Sequence, residues 1–408
     1  MWAYIITHPI QYYTPVLQHI ARSAPDEVQV FYCSGELESS HSQAGFGVKY
    51  RWDVPLLEGY RSRFLENRAP CPSTTSFGGL DNPEVSRIIA SRKYSAVVVN
   101  GWHFKTAWRA IFACWSNRIP VLVRGDSHLR APWALRKSVK WPIYRSFVPR
   151  LDGCLAAGSW SREYFQHYGA PRNRVFTVPH CVDNQRFAQQ RDLLAPQRQE
   201  LRRKWGIPTD AIVFLFVGKF IPVKRPLDFV KAIGRCAAER PSVMGLMAGD
   251  GPLRQHCEEQ ARGAGTAVRF TGFLNQTQIA EAYAVANAVV LPSETESWGL
   301  VVNEAMASGL PCFVSDRVGC NSDLIQRGET GDIYETGDIA GMAKMMVQYA
   351  DSDRLAAMGH IASHKIESYS VEAAAKALLS AVNTVERRHK YASAGCNDLA
   401  IHATSCEP

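Results

Sequence analysis

The sequence predicts an α/β protein built from two doubly wound, parallel-sheet domains. Short apolar runs of strand type alternate with helical periodicity along nearly the whole chain, which is the pattern of parallel sheets covered by helices. The length of 408 residues suits two domains of ordinary size, each with its own core. A helix opened by glycine also lies between two of the apolar runs, as in loops that hold anionic ligands at the carboxyl ends of strands.

In the first half, the apolar runs predict a sheet interrupted by one long irregular region. The segment from His41 to Pro83 is rich in Gly and Pro, and we predict a loop or hairpin there that lies over a cleft. The predicted strands are Trp2–Ile6, Val28–Tyr32, Ala96–Asn100, Val121–Arg124, Gly153–Ala157 and Val175–Val178.

The second half repeats the alternation, and its last part predicts a long helix. The predicted strands are Ile212–Val217, Val243–Ala248, Val268–Thr271, Val289–Leu291 and Pro311–Val314, with helices at Pro226–Glu239, Gln276–Ala286 and Gly299–Ser308. The join lies near Pro179–Gln185. We therefore predict domains at 1–183 and 184–370, a helix at 371–390 and a loose tail at 391–408.

Composition is that of a globular protein, with 46% hydrophobic and 21% charged residues. The N-terminal stretch lacks a basic region and contains Pro9 and Pro15, so it does not resemble a signal peptide, and no apolar run approaches the roughly 20 residues that cross a bilayer. The eleven cysteines form no C-x-x-C pair, which favours buried reduced thiols in the cytosol.

The net charge of +8 is concentrated in the first 185 residues, which contain 22 Lys and Arg against 13 Asp and Glu. Within them, the segment Arg130–Arg150 interleaves basic residues (Arg136, Lys137, Lys140, Arg145) with aromatic ones (Trp133, Trp141, Tyr144, Phe147). Two interpretations stay open: peripheral contact with an anionic membrane surface, and a solvated amphipathic helix whose aromatics pack on the core. The spacing matches no common nucleic-acid-binding module, so we predict no nucleic-acid partner.

The stretch from Ala284 to Ser315, AVANAVVLPSETESWGLVVNEAMASGLPCFVS, is the most informative in the chain. It places Glu296 in a loop after one strand and Glu304 within the following helix, which opens at Gly299. Because two carboxylates would repel a phosphate, we predict that they accept hydrogen bonds from sugar and ribose hydroxyls.

This stretch resembles the E-x7-E motif of the retaining glycosyltransferases of family 4, which have the GT-B fold: two Rossmann-like domains facing a central cleft. The family's surrounding positions match at Pro292, Ser293, Glu296, Gly299, Glu304, Ala305, Ala307, Gly309 and Pro311. Ser297 and Trp298 replace the commoner Gly-Phe, and we predict that Trp298 affects which sugar fits. In the family, the residues at Ser297, Trp298, Gly299 and Leu300 belong to the donor loop.

A second similar segment, FVGKFIPVKR at Phe216–Arg225, opens at Gly218 into a loop with Lys219 and Lys224. The family's equivalent lysines hold the donor's diphosphate. Departure of a nucleoside diphosphate builds negative charge, which two cations and helix N–H groups stabilise without a metal.

Two further segments match family loops around the nucleotide. AGDGPL at Ala248–Leu253 contains Gly249 and Gly251, whose lack of a side chain allows close backbone approach. RFTGFL at Arg269–Leu274 corresponds to a loop that contacts the base through main-chain atoms near Phe273. Uracil is the first choice of base and guanine the second.

The N-terminal domain supplies candidates for acceptor binding and for the reaction centre. THPIQYYTP at Thr7–Pro15 is similar to an H-P-I-Q-Y-x-x-P loop of a subset of the family, where His8 or Gln11 would contact the acceptor or the diphosphate. In RGDSHL, after the strand Val121–Val123, Asp126 or His128 would bind the sugar or act as a base. The alternative for Asp126 is a helix cap. His103, in NGWH, is a weaker candidate of the same kind.

Metal and cofactor use is predicted to be absent. The sequence contains one D-x-D, Asp351-Ser352-Asp353, and we predict that it caps the helix that begins near Arg354. Lys219 and Lys224 would then take the part that a cation has in other sugar-nucleotide enzymes.

The resemblance implies a metal-independent, retaining transfer from a UDP-sugar, or second a GDP-sugar, to the hydroxyl of a glycan, lipid-linked or small-molecule acceptor. The basic first half favours an anionic or lipid-linked acceptor, and we predict a cytoplasmic location, with the inner face of the membrane as an option. Two alternatives remain: a sugar-nucleotide epimerase of the same fold, and a non-catalytic nucleotide-sugar-binding protein.

Overall fold

The computed structural model describes residues 1–35, 52–130 and 134–402, with side chains described outside 134–140 and 393–402. Two parallel sheets form the centre of two α/β halves, as predicted. The first sheet contains strands β1 (Trp2–Ile6), β2 (Val28–Tyr32), β3 (Ser62–Phe64), β4 (Val97–Asn100), β5 (Val121–Gly125), β6 (Gly153–Ala156) and β7 (Val175–Thr177). The second contains β8 (Ile212–Val217), β9 (Val243–Ala248), β10 (Val268–Gly272), β11 (Ala288–Leu291), β12 (Cys312–Ser315) and β13 (Gly331–Tyr334).

Strand order places a switch point in each sheet. The strand order is β3-β2-β1-β4-β5-β6-β7 in the first sheet and β10-β9-β8-β11-β12-β13 in the second. Successive strands are therefore added toward one edge up to β3 or β10 and toward the other edge afterwards, so the switch points lie between β1 and β4 and between β8 and β11. Open parallel sheets bind ligands at the carboxyl ends of the strands that flank such a point. The loops after β1, β4 and β5, and those after β8 and β11, are therefore the expected walls of a site.

Helices cover both sheets because their apolar faces are buried against the strands, most of whose residues are themselves apolar and buried. In the first half they are α1 (Thr14–Ser23), α2 (Glu84–Ala90), α3 (Lys105–Asn117), α4 (Ala134–Phe147) and α5 (Ser159–His167). In the second they are α6 (Asn184–Leu194), α7 (Arg198–Lys204), α8 (Pro226–Glu239), α9 (Arg254–Gly263), α10 (Ile279–Val285), α11 (Leu300–Ala307), α12 (Asn321–Leu324), α13 (Ile339–Tyr349) and α14 (Ser352–Ile366).

The last helix, α15 (Val371–His402), returns to the first half of the chain. Its buried residues, among them Ala374, Leu378 and Val382, share a core with Trp2 and Ile20 of the first sheet and α1. The helix continues through residues 391–402, where we had predicted a loose tail; residues 403–408 lie outside the described part.

Two strands were missing from the sequence prediction. Ser62–Phe64 extends the first sheet by pairing with β2, inside the region predicted to be irregular, and Gly331–Tyr334 pairs with β12. Both are short and carry polar or charged residues, so they lack the apolar run that identifies a buried strand. The part of the irregular region from residue 41 to 51 lies outside the described residues.

The basic aromatic segment forms α4, and its aromatics divide between core and surface. Tyr144 and Phe147 pack against Trp102 with ring centroids 5.3 and 5.1 Å apart, whereas Trp141 is 46% exposed. This packing supports the amphipathic-helix interpretation, and no observation supports membrane contact. Trp133 and the side chains of Arg136, Lys137 and Lys140 lie outside the described part. Among the described helices, none has the length and apolar character needed to span a bilayer.

Candidate functional site

The loops after β8 and β9 are built from glycines that let their backbones touch. Gly218 and Gly249 have φ of +155° and +140°, and the Gly218 N–H donates to the carbonyl of Ala248 at 3.0 Å. A Cβ on Gly249 would lie 1.9 Å from the Gly218 carbonyl oxygen. Gly251 has φ of +152° in the same turn. The predicted glycines thus form one compact loop pair at the switch point of the second sheet.

Lys224 lies in the 3-10 turn Pro222–Lys224 that precedes α8, and its ammonium group forms an ion pair with Oε1 of Glu296. Both side chains are mostly buried, at 22% and 14% exposure. The same carboxylate oxygen accepts a hydrogen bond of 2.8 Å from the Ser293 hydroxyl. The structure therefore brings one predicted lysine and one predicted glutamate together from the two sides of the switch point.

Lys219 lies at the opening of the same loop. Burial lowers the pKa of its ammonium group, and the positive charge of Lys224 lowers it further. An anion bound between the two ammonium groups would offset both the desolvation of Lys219 and the repulsion from Lys224. The loop after β8 is thus electrostatically suited to a diphosphate.

Helix α11 begins at Leu300 because Gly299 turns the chain into it with φ of +101°. This turn places the helix N-terminus against the loop that carries Glu296 and Ser297. One helical turn later, Glu304 is 3% exposed. Burial raises the pKa of this carboxyl, although the hydrogen bonds that it accepts oppose the rise.

Two tyrosines bind the Glu304 carboxylate. The Tyr283 hydroxyl donates to Oε2 at 2.7 Å, and the Tyr12 hydroxyl donates to Oε1 at 3.0 Å. Tyr12 belongs to the loop after β1, so this contact joins residues that are 292 positions apart in the chain. Sequence reasoning had included the loop and had not singled out Tyr12.

Trp298, which we predict to affect the fit of the sugar, is buried beside the donor loop. Its indole is 3% exposed, donates to Oδ1 of Asn303 at 2.8 Å and packs on Tyr369 and His180 at the junction between the halves. An apolar ring prefers this buried contact to the polar loop beside Glu296. A fit of the sugar against the indole would require the ring to leave this position.

Asp126 reaches across the cleft from the end of β5. Its Oδ2 accepts a hydrogen bond of 2.7 Å from the Ser297 hydroxyl and lies 3.7 Å from Nε2 of His180. Burial raises the pKa of Asp126, but the interactions with His180 and Ser297 outweigh it and hold the pKa well below its usual range. Asp126 is therefore a carboxylate that joins the first half to the donor loop; the residues just before α4, where a helix cap would form, lie outside the described part.

His180 and Arg124 are functional candidates that the sequence analysis missed. Nη2 of Arg124 lies 3.3 Å from Nδ1 of His180, and because a guanidinium only donates, Nδ1 is the acceptor and Nε2 carries the proton toward Asp126. Burial lowers the pKa of His180, as does the charge of Arg124, while Asp126 opposes the shift. The imidazole is thus a neutral link between Arg124 and Asp126. No local signal marks it, since its partners are distant in sequence.

Asp126 is one wall of a cavity of about 280 Å³ at the switch point of the first sheet. Its lining comes from the ends of β1, β4 and β5 and includes Asn100, Trp102, His103 and Ser127. His103 therefore lies at this cavity, as its position after β4 suggested. His128 is elsewhere: its ring packs on Trp160, and its Nδ1 accepts from the Arg130 N–H at 3.2 Å.

The remaining predicted residues are His8, Gln11 and Phe273. Nδ1 of His8 is 3.0 Å from the Thr7 hydroxyl, and Gln11 lines a second cavity, of about 190 Å³, beside Arg186. Phe273 follows β10, whose last residue, Gly272, has φ of +76°. Gln11 lines this second cavity, and neither His8 nor Gln11 is among the described residues that line the Asp126 cavity.

The D-x-D sequence is a helix cap, as predicted. Oδ1 of Asp351 accepts from the Arg354 N–H at 2.8 Å at the start of α14. Within the described ranges, no group of three or more His, Cys, Asp or Glu side chains is arranged to hold a metal ion.

Family models match both halves of the chain. The model described as "Glycosyl transferases group 1" matches residues 197–365, and the model described as "Glycosyltransferase Family 4" matches residues 18–186. The first match contains both lysines and both glutamates of the candidate site. The second contains the end of β5, where Asp126 lies.

Curated relatives carry glycosyltransferase names. The chain is 31% identical over 240 residues to a D-inositol 3-phosphate glycosyltransferase of Streptomyces avermitilis, covering 56% of this chain and 50% of that protein. It is 32% identical over 194 residues to an N-acetyl-alpha-D-glucosaminyl L-malate synthase of Bacillus anthracis, covering 45% of this chain and 46% of that protein. The match thus spans about half the length of these relatives.

Solved structures share the whole architecture at low identity. HepE of Anabaena, solved in complex with UDP, superposes with a TM-score of 0.70 at 16% identity, covering 94% of this chain and all of that one. A glycosyltransferase of Rickettsia africae superposes with a TM-score of 0.72 at 14% identity, covering 94% of this chain and 98% of that one. Together these comparisons show that the chain has the GT-B fold and that its two halves are similar to glycosyltransferases of group 1 and of family 4.

Proposed function

We propose that this protein transfers a sugar from a nucleoside-diphosphate sugar to an acceptor hydroxyl, with retention of anomeric configuration and without a metal ion. UDP-sugar is the first choice of donor, and GDP-sugar the second. HepE of Anabaena was solved in complex with UDP and with UDP-glucose, which supports this order. The cytoplasmic location remains a prediction.

The observation that carries the proposal is the pairing of Lys224 with Glu296, with Lys219 on the same loop. A donor would exchange this pair for two better contacts. Its diphosphate would take the ammonium groups of Lys224 and Lys219, and a hydroxyl of its sugar would donate to Glu296. The charge that develops on the departing diphosphate would then meet two cations held in place, which stabilises the transition state.

Glu304 would bind the ribose once the Tyr12 hydroxyl gives up its hydrogen bond to Oε1 of Glu304. Two hydroxyls on adjacent ribose carbons can replace the hydrogen bonds from tyrosine, so the buried carboxylate stays satisfied. The α11 N-terminus at Gly299 and Leu300 would add its positive dipole end near the diphosphate.

Retention follows from attack on the same face as the leaving group. The acceptor hydroxyl would form its bond to the anomeric carbon as the bond to the diphosphate oxygen breaks, and that oxygen would take the acceptor's proton. No nucleophile from the enzyme is needed. Asp126, on the acceptor side, would orient the attacking hydroxyl by accepting from it, with His180 holding the carboxylate.

The donor site is tested by thermal shift with UDP, GDP, ADP and TDP on the parent and on Lys224→Ala. Native-state binding raises stability by about 2.7 kcal/mol at a hundredfold excess over Kd. We expect a selective shift with UDP that the variant reduces. Lys365→Ala, in the last turn of α14 and half-buried, is the matched control and should keep the shift. Equal shifts in parent and Lys224→Ala would refute the assigned diphosphate site.

The reaction is tested by incubation with UDP-sugars and mixed acceptors, with and without EDTA. A transferred sugar whose anomeric proton keeps the donor's configuration by NMR supports a retaining transferase, and loss of activity in EDTA would overturn metal independence. Lys224→Ala should lower turnover by about a hundredfold or more, as loss of an oxyanion donor does. A changed UDP-sugar without any acceptor product would indicate an epimerase, and binding without turnover a non-catalytic protein.

A further inference from the structure

The cavity beside Asp126 has a lining that specifies the charge of its ligand. It lies at the carboxyl ends of β1, β4 and β5, on the opposite side of the cleft from Lys224 and Glu296. We infer that this cavity takes an uncharged polyhydroxy acceptor, a neutral sugar or polyol, and rejects a phosphorylated one. The inference rests on the proposed function, because it assumes that this cavity is the acceptor site.

The cation at the cavity is already used by the protein. Arg124 is the one lysine or arginine among the described lining residues, and it is 5% exposed. Its Nη1 donates to the Val178 carbonyl at 3.2 Å, and its Nη2 to that of Pro179 at 3.4 Å and to Nδ1 of His180. A phosphate needs several donors at once. The Nε–H of Arg124 has no hydrogen-bond partner among the described residues and could supply one, but the guanidinium would have to give up bonds to the carbonyls or to His180 to supply more.

The negative charge at the cavity is available instead. Asp126 is ionised, its side chain is 44% exposed, and its recorded partners, Ser297 and His180, both contact Oδ2. A carboxylate accepts hydrogen bonds from sugar hydroxyls and repels a phosphate. His180 contributes no compensating charge, because its Nδ1 accepts from Arg124. His103 also lines the cavity.

The rest of the lining suits the apolar face of a sugar ring. Tyr13, Trp102, Phe104, Tyr164 and Phe165 provide aromatic surface, and Asn100 adds an amide. A cavity of about 280 Å³ is at the small end of ligand sites, which span roughly 300–1,000 Å³. It therefore holds about one ring, and any lipid or phosphate of a larger acceptor would lie outside it.

This conclusion differs from the anionic acceptor that the basic first half suggested. Several basic residues of that half form ion pairs away from the cavity lining, as with Lys105 and Arg109 on Asp81, Arg63 on Glu84 and Arg130 on Glu163. Their charge does not face the cavity. Net charge of a domain is thus a poor guide to the charge at its binding site.

The local potential can be measured without knowledge of the true acceptor. In Ser127→Cys, a thiol would line the cavity, and its alkylation by neutral iodoacetamide and by anionic iodoacetate is followed by mass spectrometry of the peptide that contains residue 127. Both reagents attack the same thiolate, so the ratio of the two rates does not depend on the pKa of the thiol. Division by the same ratio for glutathione removes the difference in intrinsic reactivity between the two reagents. We expect the cavity to disfavour the anion by roughly threefold or more, and Asp126→Asn to remove most of this bias. A preference for iodoacetate would overturn the inference.

Ligand choice is then tested with matched pairs in the presence of UDP: myo-inositol and D-inositol 3-phosphate, glucose and glucose 6-phosphate. Saturation-transfer NMR should give the stronger signal for the neutral member, and Asp126→Asn should weaken its binding by roughly tenfold. Stronger binding of either phosphate would refute the inference; if neither pair binds, the alkylation ratio decides. The UDP shift of the parent is separate from both experiments, so failure here leaves the donor site standing.

Discussion

Single side chains in this cleft act through partners far away in the chain. Lys224 and Glu296 are 72 positions apart, and Tyr12 and Glu304 are 292 apart. Local patterns identified the lysines and glutamates because each follows a strand with glycine or proline beside it. They could not identify Tyr12, Arg124 or His180, whose importance comes from tertiary contact alone.

Lys219 gives a prediction about pH. Its pKa is below the usual 10.5 because of burial and Lys224, while a bound diphosphate favours its protonated form. The affinity for UDP should therefore be constant at neutral pH and fall as the pH rises through the lowered pKa of Lys219. Arg stays charged at higher pH, so in Lys219→Arg the alkaline fall should move upward.

Calorimetric titration of UDP between pH 7 and 10 measures this effect. Lys231→Arg, on the outer part of α8, is the control and should follow the parent. If the alkaline limb is the same in Lys219→Arg and in the parent, the diphosphate does not contact Lys219.

At the scale of elements, the strands and helices were predictable where they are long and apolar. The strands of both sheets that flank the switch points are almost fully buried, so their composition alone identified them. The edge strands Ser62–Phe64 and Gly331–Tyr334 were missed because pairing with a neighbour, rather than burial of an apolar run, creates them. The continuation of the last helix beyond residue 390 was also missed, because no Gly or Pro marks its end.

The apposed loops after β8 and β9 give a prediction at this scale. Gly249→Ala would place a methyl group 1.9 Å from the Gly218 carbonyl oxygen at a φ that side chains avoid, so the loops must separate. We expect a loss of about 3 kcal/mol or more in the free energy of unfolding, together with loss of the UDP shift. The measurement is urea unfolding of variant and parent.

Gly263→Ala is the matched control for this change. No heavy atom lies within 4 Å of the Cβ that would be added there, at the end of α9. Alanine should stabilise the protein by roughly 0.5–1 kcal/mol. A Gly249→Ala variant as stable as Gly263→Ala would mean that the two loops are not in contact.

At the scale of the whole molecule, hydrogen bonds from several places hold the two halves together. Asp323 of α12 accepts from the Ser159 N–H at 3.1 Å and from its hydroxyl at 2.8 Å, at the N-terminus of α5. Asp53 accepts from the Thr277 N–H at 3.1 Å, and Arg317 donates to the carbonyl of Arg130 at 2.8 Å. The cleft is therefore closed by polar contacts, which exchange with water at low cost.

Asp323→Ala is predicted to open the cleft. It removes an anion from a helix N-terminus in the other half, worth roughly 1 kcal/mol. Small-angle scattering should show a larger radius of gyration than in the parent, and UDP-sugar should reverse part of the increase.

Asp351→Ala removes a cap of similar strength inside the second half, at α14. It should lower the thermal midpoint without changing the radius of gyration. An unchanged radius in Asp323→Ala would mean that other contacts suffice to hold the halves together.

Two consecutive residues of the loop after β1 face the two proposed substrate sites. Tyr12 binds Glu304 of the proposed donor site, while Tyr13 lines the proposed acceptor cavity, packs on His180 and lies under Arg124 at 5.4 Å. A donor that takes the place of Tyr12 at Glu304 must shift the backbone that carries Tyr13. The two substrates are then linked thermodynamically, and linkage is reciprocal: whatever factor the donor adds to acceptor affinity, the acceptor returns to the donor. One peptide bond in an N-terminal loop would thereby make each substrate strengthen or weaken the binding of the other by the same factor.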